Sequence, residues 1–563
     1  MKWVAFILGA ILWVSCSSYA LAQEKPEDVT HPPINKPLQV MPSKIKPVQS
    51  GTEEFAKAAP EPSLSKEKSA QLSALSFDKK AAFPANFWQG VEFPEYEKTL
   101  DLALVNTSPA LREIYIRLLA TTEGQPQSKV EDPEEQEVKT DIYSLKLKKL
   151  VELGDLEDAL ALYKINEGNP PSETAAVAGI TAMIGVGETG LACLESKALE
   201  SMWRKDPKNA GFWQDNDILC QAMVSPASGE DDVLRIGNAA RIFLASRKFA
   251  SMSDVLNFNT ETAAFKFSWA NSGQMVRVID SKNFTDSLTE TSLAFLLHTK
   301  ALVTETATTL MSYAHQKGMK IPQDFASRVV LELPKTLTQK QTPLVTPAKK
   351  VYAIVTAKTP YEIAELKEIL AIPYIAEGLI DPSRISEATL VSPELDSPQK
   401  LRLIKSFLIN NQSPPLRLIS DIYKDISPDT TDSPESLLQR ILLKKYEKDK
   451  AKSAQILALS PILNGDKNPL NVNISVYDNI LSLTDSGNYV MPKGEILSNL
   501  RKSAEQKLMG KVVIESLNIM LPRSTESLHP VELYEALKAL NNVGLNEETM
   551  SLARHALGNL LEI

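Results

Sequence analysis

Residues 145–165 read LKLKKLVELGDLEDALALYKI and hold two apolar runs on either side of a Gly-Asp pair. In the second run the apolar side chains recur at three- and four-residue spacing, as on one face of an α-helix. This face is formed by Leu156, Ala159, Leu160 and Tyr163. A glycine at the end of a helix adopts the left-handed conformation that lets the chain reverse, and Gly154 stands at that position. The stretch therefore predicts two antiparallel helices joined by a tight turn.

The same arrangement returns at the other end of the chain, in residues 531–560 around Gly544. Between the two stretches, apolar periodicity predicts further helices near residues 172–184, 188–205, 211–223, 230–247, 285–299, 303–317, 360–370, 398–410, 415–424, 434–448 and 496–518. Several begin with a capping residue and a proline, which the first turn of a helix tolerates. These starts are Ser108-Pro109, Thr359-Pro360, Ser397-Pro398 and Ser433-Pro434, and Thr359 with Glu362 fits a capping box.

Composition supports a helical chain, because only 22 of the 563 residues are glycine and only 6% are aromatic. Sheet-rich folds use glycine in turns and aromatic residues in strands. Strand-like pieces at 275–279 and 351–356 are too few for a large sheet. The paired helices resemble tetratricopeptide-like repeats and related α-solenoids, and the layout is similar to that of secreted helical-repeat proteins of Gram-negative bacteria. This resemblance implies an all-α, irregular α-solenoid of antiparallel helix pairs and supplies no functional residue.

The first 22 residues have the layout of a secretory signal peptide. Lys2 precedes an apolar run, and Ala20-Leu21-Ala22 forms an A-x-A cleavage site. The run of about twelve apolar residues is shorter than the ~20 needed to span a membrane. We therefore predict an exported, periplasmic protein, with secretion outside the cell as the alternative. Lipid attachment at Cys16 is a second alternative, although the bulky Trp13 stands where lipoprotein signals carry a small aliphatic residue.

Proline content divides the rest of the chain. Residues 23–92 are polar and rich in proline, and we interpret them as a disordered arm that could tether the protein. A second proline-bearing segment, 332–350, is predicted to be a linker. It would separate an N-terminal helical lobe, 93–331, from a C-terminal lobe, 351–563.

Two cysteines make a specific structural prediction. Cys193 and Cys220 lie on successive predicted helices, about fourteen residues before and thirteen residues after the centre of the turn between them. In an antiparallel hairpin those positions lie at nearly the same height, so the two side chains should pair in an oxidising compartment. Closing a loop of about 28 residues would stabilise the fold by roughly 3.5 kcal/mol. The alternative is two reduced thiols in the core.

Motifs that carry chemistry are absent from the sequence. It contains no H-E-x-x-H, no phosphate-binding G-K-[ST] loop, no G-x-S-x-G and no C-x-x-C. His298, His315, His529 and His555 lack the four-residue spacing of a helical metal site, so we interpret them as ordinary surface or packed residues. We predict no cofactor, no metal site and no catalytic residue.

One enzyme class is an alternative. Soluble lytic transglycosylases are periplasmic helical solenoids whose catalytic glutamate precedes a serine, with a Gly-Leu-Met-Gln segment downstream. Glu515-Ser516 resembles that pair, but here it follows Leu508-Met509-Gly510, so the pieces stand in reverse order. The resemblance implies Glu515 as the acid of a peptidoglycan-acting enzyme. The simpler interpretation places Glu515 on a solvated helix face.

A basic run at the end of one helix, Lys444 to Lys452, could attract an anionic partner. Glu447 and Asp449 interrupt the run and the net charge is −9, so we predict no nucleic-acid binding. Trp203 and Trp213 are expected in the core. Taken together, these features predict a non-catalytic scaffold of the cell envelope that binds a protein or peptide, because stacked helix pairs offer extended surfaces. A structural spacer is the remaining alternative, and the oligomeric state is left open.

Overall fold

A computed structural model describes residues 82–84, 86–102, 108–121, 125–126, 142–166, 170–203, 209–224, 232–247, 258–272, 288–299, 310–311, 313–315, 317–322, 359–371, 379–424, 433–465, 468–470, 474–484, 492, 494–523 and 528–561. The predicted signal peptide with Cys16, arm residues 23–81, the linker 332–350 and both strand-like pieces lie outside the described residues.

The regular elements of the described residues are α-helices and short 3-10 helices, and no β-strand is assigned among them. This agrees with the helical class that the sequence predicts. The helices of the first part are α1 (Phe93–Leu100), α2 (Pro109–Ala120), α3 (Ile142–Glu152), α4 (Leu156–Tyr163), α5 (Glu173–Val186), α6 (Thr189–Trp203), α7 (Ala210–Val224), α8 (Asp232–Ser246), α9 (Ala263–Asn271) and α10 (Glu290–Leu297). Those of the second part are α11 (Ile363–Leu370), α12 (Glu387–Leu390), α13 (Ser397–Ile409), α14 (Leu416–Ile422), α15 (Pro434–Lys445), α16 (Lys450–Leu457), α17 (Ser460–Leu463), α18 (Val476–Thr484), α19 (Gly494–Glu505), α20 (Met509–Met520), α21 (Pro530–Asn542) and α22 (Asn546–Leu560).

Helices that follow one another along the chain pack against one another. Each helix from α3 to α9 contacts the next one, and near the C-terminus α19, α20 and α21 contact one another while α22 packs on α21. The turn between α3 and α4 contains Gly154 at φ 73°, which confirms the left-handed glycine that the sequence predicts there. Gly544, between α21 and α22, has φ 91° for the same reason.

The two ends of the described chain also pack together. Helix α2 contacts both α22 and α20, and α1 contacts α20. Residues 62–563 form one compact unit. The helices on either side of the predicted linker 332–350 therefore belong to one body, and the predicted boundary does not divide them into two lobes. The reason is that the buried apolar face of α2, with Leu111, Ile114 and Leu118, belongs to the same core as α20 and α22.

Several helix boundaries differ from the prediction. The single helix predicted at 496–518 is two helices, α19 and α20, because Lys507 takes a positive φ of 59° and breaks the run. Helix α11 begins after Glu362, whose capping box is with Glu365 rather than with Thr359. Helix α13 begins one residue before the predicted start, with Asp396 as its cap. Ser433 caps α15 as predicted, accepting a hydrogen bond from the Ser436 amide.

The last residues assigned to the disordered arm are folded. We call residues 82–92, apart from residue 85, the strap. Phe83, Phe87 and Trp88 of the strap are 5%, 1% and 6% exposed and lie in the hydrophobic core. The arm boundary predicted at residue 92 is therefore wrong by about ten residues. Proline and polar residues dominate the composition of the arm as a whole, and they mask the apolar segment at its end, which can be buried.

Candidate functional site

Helices α6 and α7 form a hairpin that holds the two cysteines side by side. The Sγ atoms of Cys193 and Cys220 are 2.03 Å apart and their Cα atoms are 5.5 Å apart, which are disulfide distances. The equal heights that the sequence predicts for these residues are confirmed. The bond joins the N-terminal part of α6 (Thr189–Trp203) to the C-terminal part of α7 (Ala210–Val224).

A row of apolar residues lies on the exposed side of α6. Gly190, Leu194, Ala198 and Met202 follow one another at intervals of four residues, so they share one face of the helix. Leu194 is 71% exposed and Met202 is 53% exposed. A Cβ atom added at Gly190 would meet nothing within 4 Å among the described residues. We call these four residues the apolar ridge.

Helix α6 therefore has apolar residues on two faces. Its buried face contains Ala192, Glu195, Ser196 and Leu199. Among the described residues nine large apolar side chains are exposed, and four of these lie on α6 and the two helices that follow it. These four are Leu194, Met202, Val224 and Ile242. Three of the nine therefore lie on the disulfide hairpin itself and a fourth on the helix that follows it.

Two side-chain hydrogen bonds attach the hairpin to the helices that precede it. The Tyr163 hydroxyl donates a hydrogen bond of 2.6 Å to Glu195 of α6. The indole N–H of Trp213, on α7, donates one of 2.9 Å to Glu173 of α5. Trp213 is 1% exposed, which confirms its predicted place in the core, whereas the side chain of Trp203 lies outside the described ones. The ridge is therefore presented by a helix whose inner face is fixed by hydrogen bonds, packing and a covalent link.

Glu515 lies in a contact between helices. It is half-buried on α20, where it faces Ser503 of α19 and Glu95 of α1. Burial raises the pKa of Glu515, the negative charge of Glu95 adds to this effect, and the Ser503 hydrogen bond and Lys511 oppose it. Lys511 pairs with Glu95 at 3.2 Å. The expectation of a solvated helix face is therefore wrong, because α1 covers this side of α20.

A substrate site would need a cleft of substrate size next to the candidate acid. An open cleft of about 460 Å³ is lined by Pro94, Glu97, Lys98, Asp101 and Leu145. Glu515 does not line it.

The second cleft has room for about 20 Å³, which is close to the space of one water molecule. It lies at the turn between α3 and α4, and Glu515 does not line it either. Its two buried carboxylates already have cationic partners. Asp155 pairs with Arg112 at 2.8 Å and Asp158 with Lys320 at 2.7 Å. Neither cleft therefore combines a substrate-sized space with the candidate acid.

His298, His315, His529 and His555 lie at separate places along the described chain, and His529 and His555 belong to the start of α21 and to α22. His298 and His529 are buried, and His529 accepts a hydrogen bond from the Val531 amide at the start of α21. Burial lowers the pKa of His555 to about 4 and also lowers the pKa of His315. Among the described residues no group of three or more His, Cys, Asp or Glu side chains could hold a metal ion.

The basic run around residue 446 is built into the end of one helix and the start of the next. Lys445 and Lys452 lie against the ring of Tyr446, with Nζ atoms 5.1 and 4.6 Å from its centroid. The Tyr446 hydroxyl donates to the Leu560 carbonyl of α22 at 3.1 Å. These two lysines therefore contact a residue that packs the C-terminal helix.

Comparison with known proteins adds no assignment, since no family model, curated protein or solved structure matches the chain. Of the helices in the described ranges, none combines the length and the apolar character required to cross a membrane. Sequence reasoning missed the apolar ridge. The four-residue spacing of Gly190, Leu194, Ala198 and Met202 was visible, but nothing in the sequence distinguishes an exposed apolar face from a buried one.

Proposed function

We propose that this protein is a non-catalytic protein–protein interaction scaffold of the cell envelope, and that the apolar ridge of α6 holds its partner. The observation that carries the proposal is the exposure of Leu194 and Met202, at 71% and 53%, on a helix whose opposite face is buried. A large apolar side chain gains about 1.5–3 kcal/mol when it leaves water completely. A partner that covers both side chains would obtain much of its binding energy there.

The spacing of the ridge indicates the shape of the partner. Side chains four residues apart form a ridge that packs into the groove between side chains of another helix. Gly190 and Ala198 have little or no side chain, so a partner helix can approach the α6 backbone closely at those two positions. An amphipathic helix with its own apolar stripe is the partner that fits this surface.

Rigidity of the hairpin supports the same function. A surface that is already ordered loses little conformational entropy on binding, which favours affinity. The disulfide between Cys193 and Cys220 lies next to Leu194 in the chain and fixes α6 on α7. Export through the predicted signal peptide would place the hairpin in an oxidising compartment, where that bond persists.

The test is site-specific photocrosslinking in cell-envelope extracts. A photoreactive residue at Ala198 should crosslink one partner in stoichiometric amounts, and the Leu194→Asp/Met202→Asp double substitution should abolish that product. A photoreactive residue at the exposed Gln214 of α7 is the positional control. Ile474→Asp is the matched substitution, since it replaces an exposed apolar residue (55%) outside the hairpin and should leave the product unchanged. A product insensitive to the double substitution, or no product at Ala198, would contradict the proposal.

A peptidoglycan-acting enzyme is the second candidate, favoured by the raised pKa of Glu515. A carboxyl group whose pKa is raised by burial is better suited to act as a general acid than a fully solvated one. The discriminating experiment is digestion of purified cell wall by the wild type and by Glu515→Gln. Digestion that disappears in the variant, while its folding is unchanged by circular dichroism, would favour the enzyme over the scaffold.

A further inference from the structure

The strap lies in a groove formed by α2 and α20. The amide of Phe83 donates a hydrogen bond of 3.0 Å to Thr121 Oγ1 at the end of α2. The carbonyl oxygen of Phe87 accepts one of 3.1 Å from the Gly510 amide at the start of α20. The strap therefore joins an early helix of the chain to a late one through only two hydrogen bonds among those described.

Aromatic contacts supply the rest of the attachment. The rings of Phe83 and Phe87 stack with their centroids 4.4 Å apart, and Trp88 packs edge-on against Tyr96 of α1 at 4.6 Å. The Arg117 guanidinium of α2 lies 4.3 Å from the centroid of the Phe83 ring. The groove thus recognises two phenylalanines four residues apart, a following tryptophan and one backbone carbonyl.

The strap backbone lies directly against Gly510 of α20, where there is no side chain to obstruct it. A Cβ atom at this position would lie 2.1 Å from the Phe87 carbonyl oxygen, well inside any allowed contact. The absent side chain lets a foreign backbone reach the first turn of α20. Hydrogen exchange of the Gly510 amide also reports specifically on strap attachment, because the described acceptor of this amide is the Phe87 carbonyl oxygen of the strap.

Some of the buried polar atoms without a described partner lie where the strap meets α1 and where α1 meets α20. Within the described residues, no hydrogen-bond partner is found for Trp88 Nε1, Tyr96 Oη, Glu515 Oε2 or Asn518 Oδ1. Trp88 contacts Tyr96, Asn518 contacts Thr99 of α1, and Glu515 faces Glu95 of the same helix. Unpaired buried groups destabilise a packed state, since water would satisfy them on opening. The contact between the strap and α1 is therefore less favourable than its buried apolar area alone indicates, because it holds Trp88 Nε1 and Tyr96 Oη without a described hydrogen-bond partner.

We propose that the strap is releasable: it detaches from α20 while the rest of the protein stays folded, and the freed groove binds an aromatic segment of a partner that has the same chemistry. That segment would carry Phe-x-x-x-Phe-Trp and offer one free carbonyl to Gly510. The strap is then an intramolecular competitor for the groove. This inference concerns a different surface from the apolar ridge and stands independently of it.

The test follows hydrogen exchange of the Gly510 amide by mass spectrometry with residue-level fragmentation. In the wild type this amide should exchange at least tenfold faster than the amides of the buried helix α5, because opening is local. Phe87→Ala should accelerate Gly510 exchange further and leave α5 unchanged. A synthetic peptide of residues 82–92, AFPANFWQGVE, added at about 1 mM to match a tethered segment, should slow it again in the variant.

Two further comparisons separate specific attachment of the strap from a general change in exchange. The same peptide with Phe87→Ala should give no protection. Tyr96→Phe, which removes an unpaired hydroxyl, should slow Gly510 exchange roughly tenfold. Tyr115→Phe is the matched control and should not slow it, because the Tyr115 hydroxyl donates to the Thr99 carbonyl at 3.3 Å. Exchange of Gly510 only at the rate of α5, or failure of the wild-type peptide to restore protection, would overturn the proposal.

Discussion

Arg117 of α2 forms an ion pair with Glu548 of α22, a residue 431 positions later in the chain. Both side chains are largely buried, at 17% and 14% exposure. The pair joins the first part of the described chain to its last helix, beside the ring contact between Arg117 and Phe83. It lies where the two ends of the helical array meet.

Glu548→Gln should destabilise the protein by about 1–2 kcal/mol, because it removes the negative charge that lies directly against the mostly buried Arg117 guanidinium. Equilibrium unfolding in urea measures this change. The matched control is Glu387→Gln, whose partner Arg417 is 78% exposed, and this variant should unfold at the wild-type midpoint. Equal midpoints for all three proteins would show that the pair at the junction contributes nothing.

Lys146 should make stability depend on pH. Its side chain is buried on α3, where Nζ donates to Gln125 and lies 5.9 Å from the centroid of the Tyr96 ring. Burial lowers the pKa of Lys146 to about 7. An unfolded lysine keeps its proton up to about pH 10.5, so the unfolded state binds more protons than the folded state above pH 7. The buried, charged Lys146 therefore destabilises the folded state in full below about pH 7. This destabilisation decreases as the pH rises and the folded state releases the proton.

The free energy of unfolding should therefore rise by about 2 kcal/mol more in the wild type than in Lys146→Met between pH 7 and pH 9. Urea denaturation at the two pH values gives the difference directly. Lys148→Met, which removes a lysine that is 43% exposed on the same helix, should behave as the wild type does. A pH dependence that survives Lys146→Met would assign it to other groups.

The Cys193–Cys220 bond should contribute roughly 3.5 kcal/mol to the free energy of unfolding, from closure of the loop between residues 27 positions apart. Thermal unfolding with and without a thiol reductant measures it. Cys193→Ala/Cys220→Ala should lose the same stability and become insensitive to the reductant. If the reductant lowers the melting temperature of this double variant as much as that of the wild type, the effect does not come from the bond.

Gly510→Ala should destabilise the protein by about 1–3 kcal/mol, because the new methyl group collides with the Phe87 carbonyl and the strap must shift. Urea denaturation gives the magnitude, and accelerated exchange of the Phe83 amide locates the effect at the strap. Gly211→Ala is the control, since a Cβ there meets nothing within 4 Å among the described residues. It should leave stability unchanged or raise it by up to about 1 kcal/mol. A loss of stability with Gly211→Ala as large as with Gly510→Ala would remove the steric explanation.

Local sequence patterns by themselves determined the helical class of this protein, the turn at Gly154 and the pairing of Cys193 with Cys220. Each of these depends on residues close together in the chain: a period of three to four, a glycine at a helix end, and two cysteines equidistant from one turn. The secondary-structure period and the rise per residue decide such features before distant contacts form.

Tertiary structure alone decided the exposure of the apolar ridge, the burial of Glu515 and the folding of the strap. Each of these features depends on contacts between distant parts of the chain, which no local sequence pattern relates. Leu194 and Leu199 look alike in sequence, yet one is exposed and the other buried, according to which face of α6 meets its neighbours. Glu515 is covered because α1 packs on α20, and Phe87 is folded because Gly510 admits its backbone. An apolar stripe predicts that something will cover it, but only the packed chain shows whether the protein itself does so.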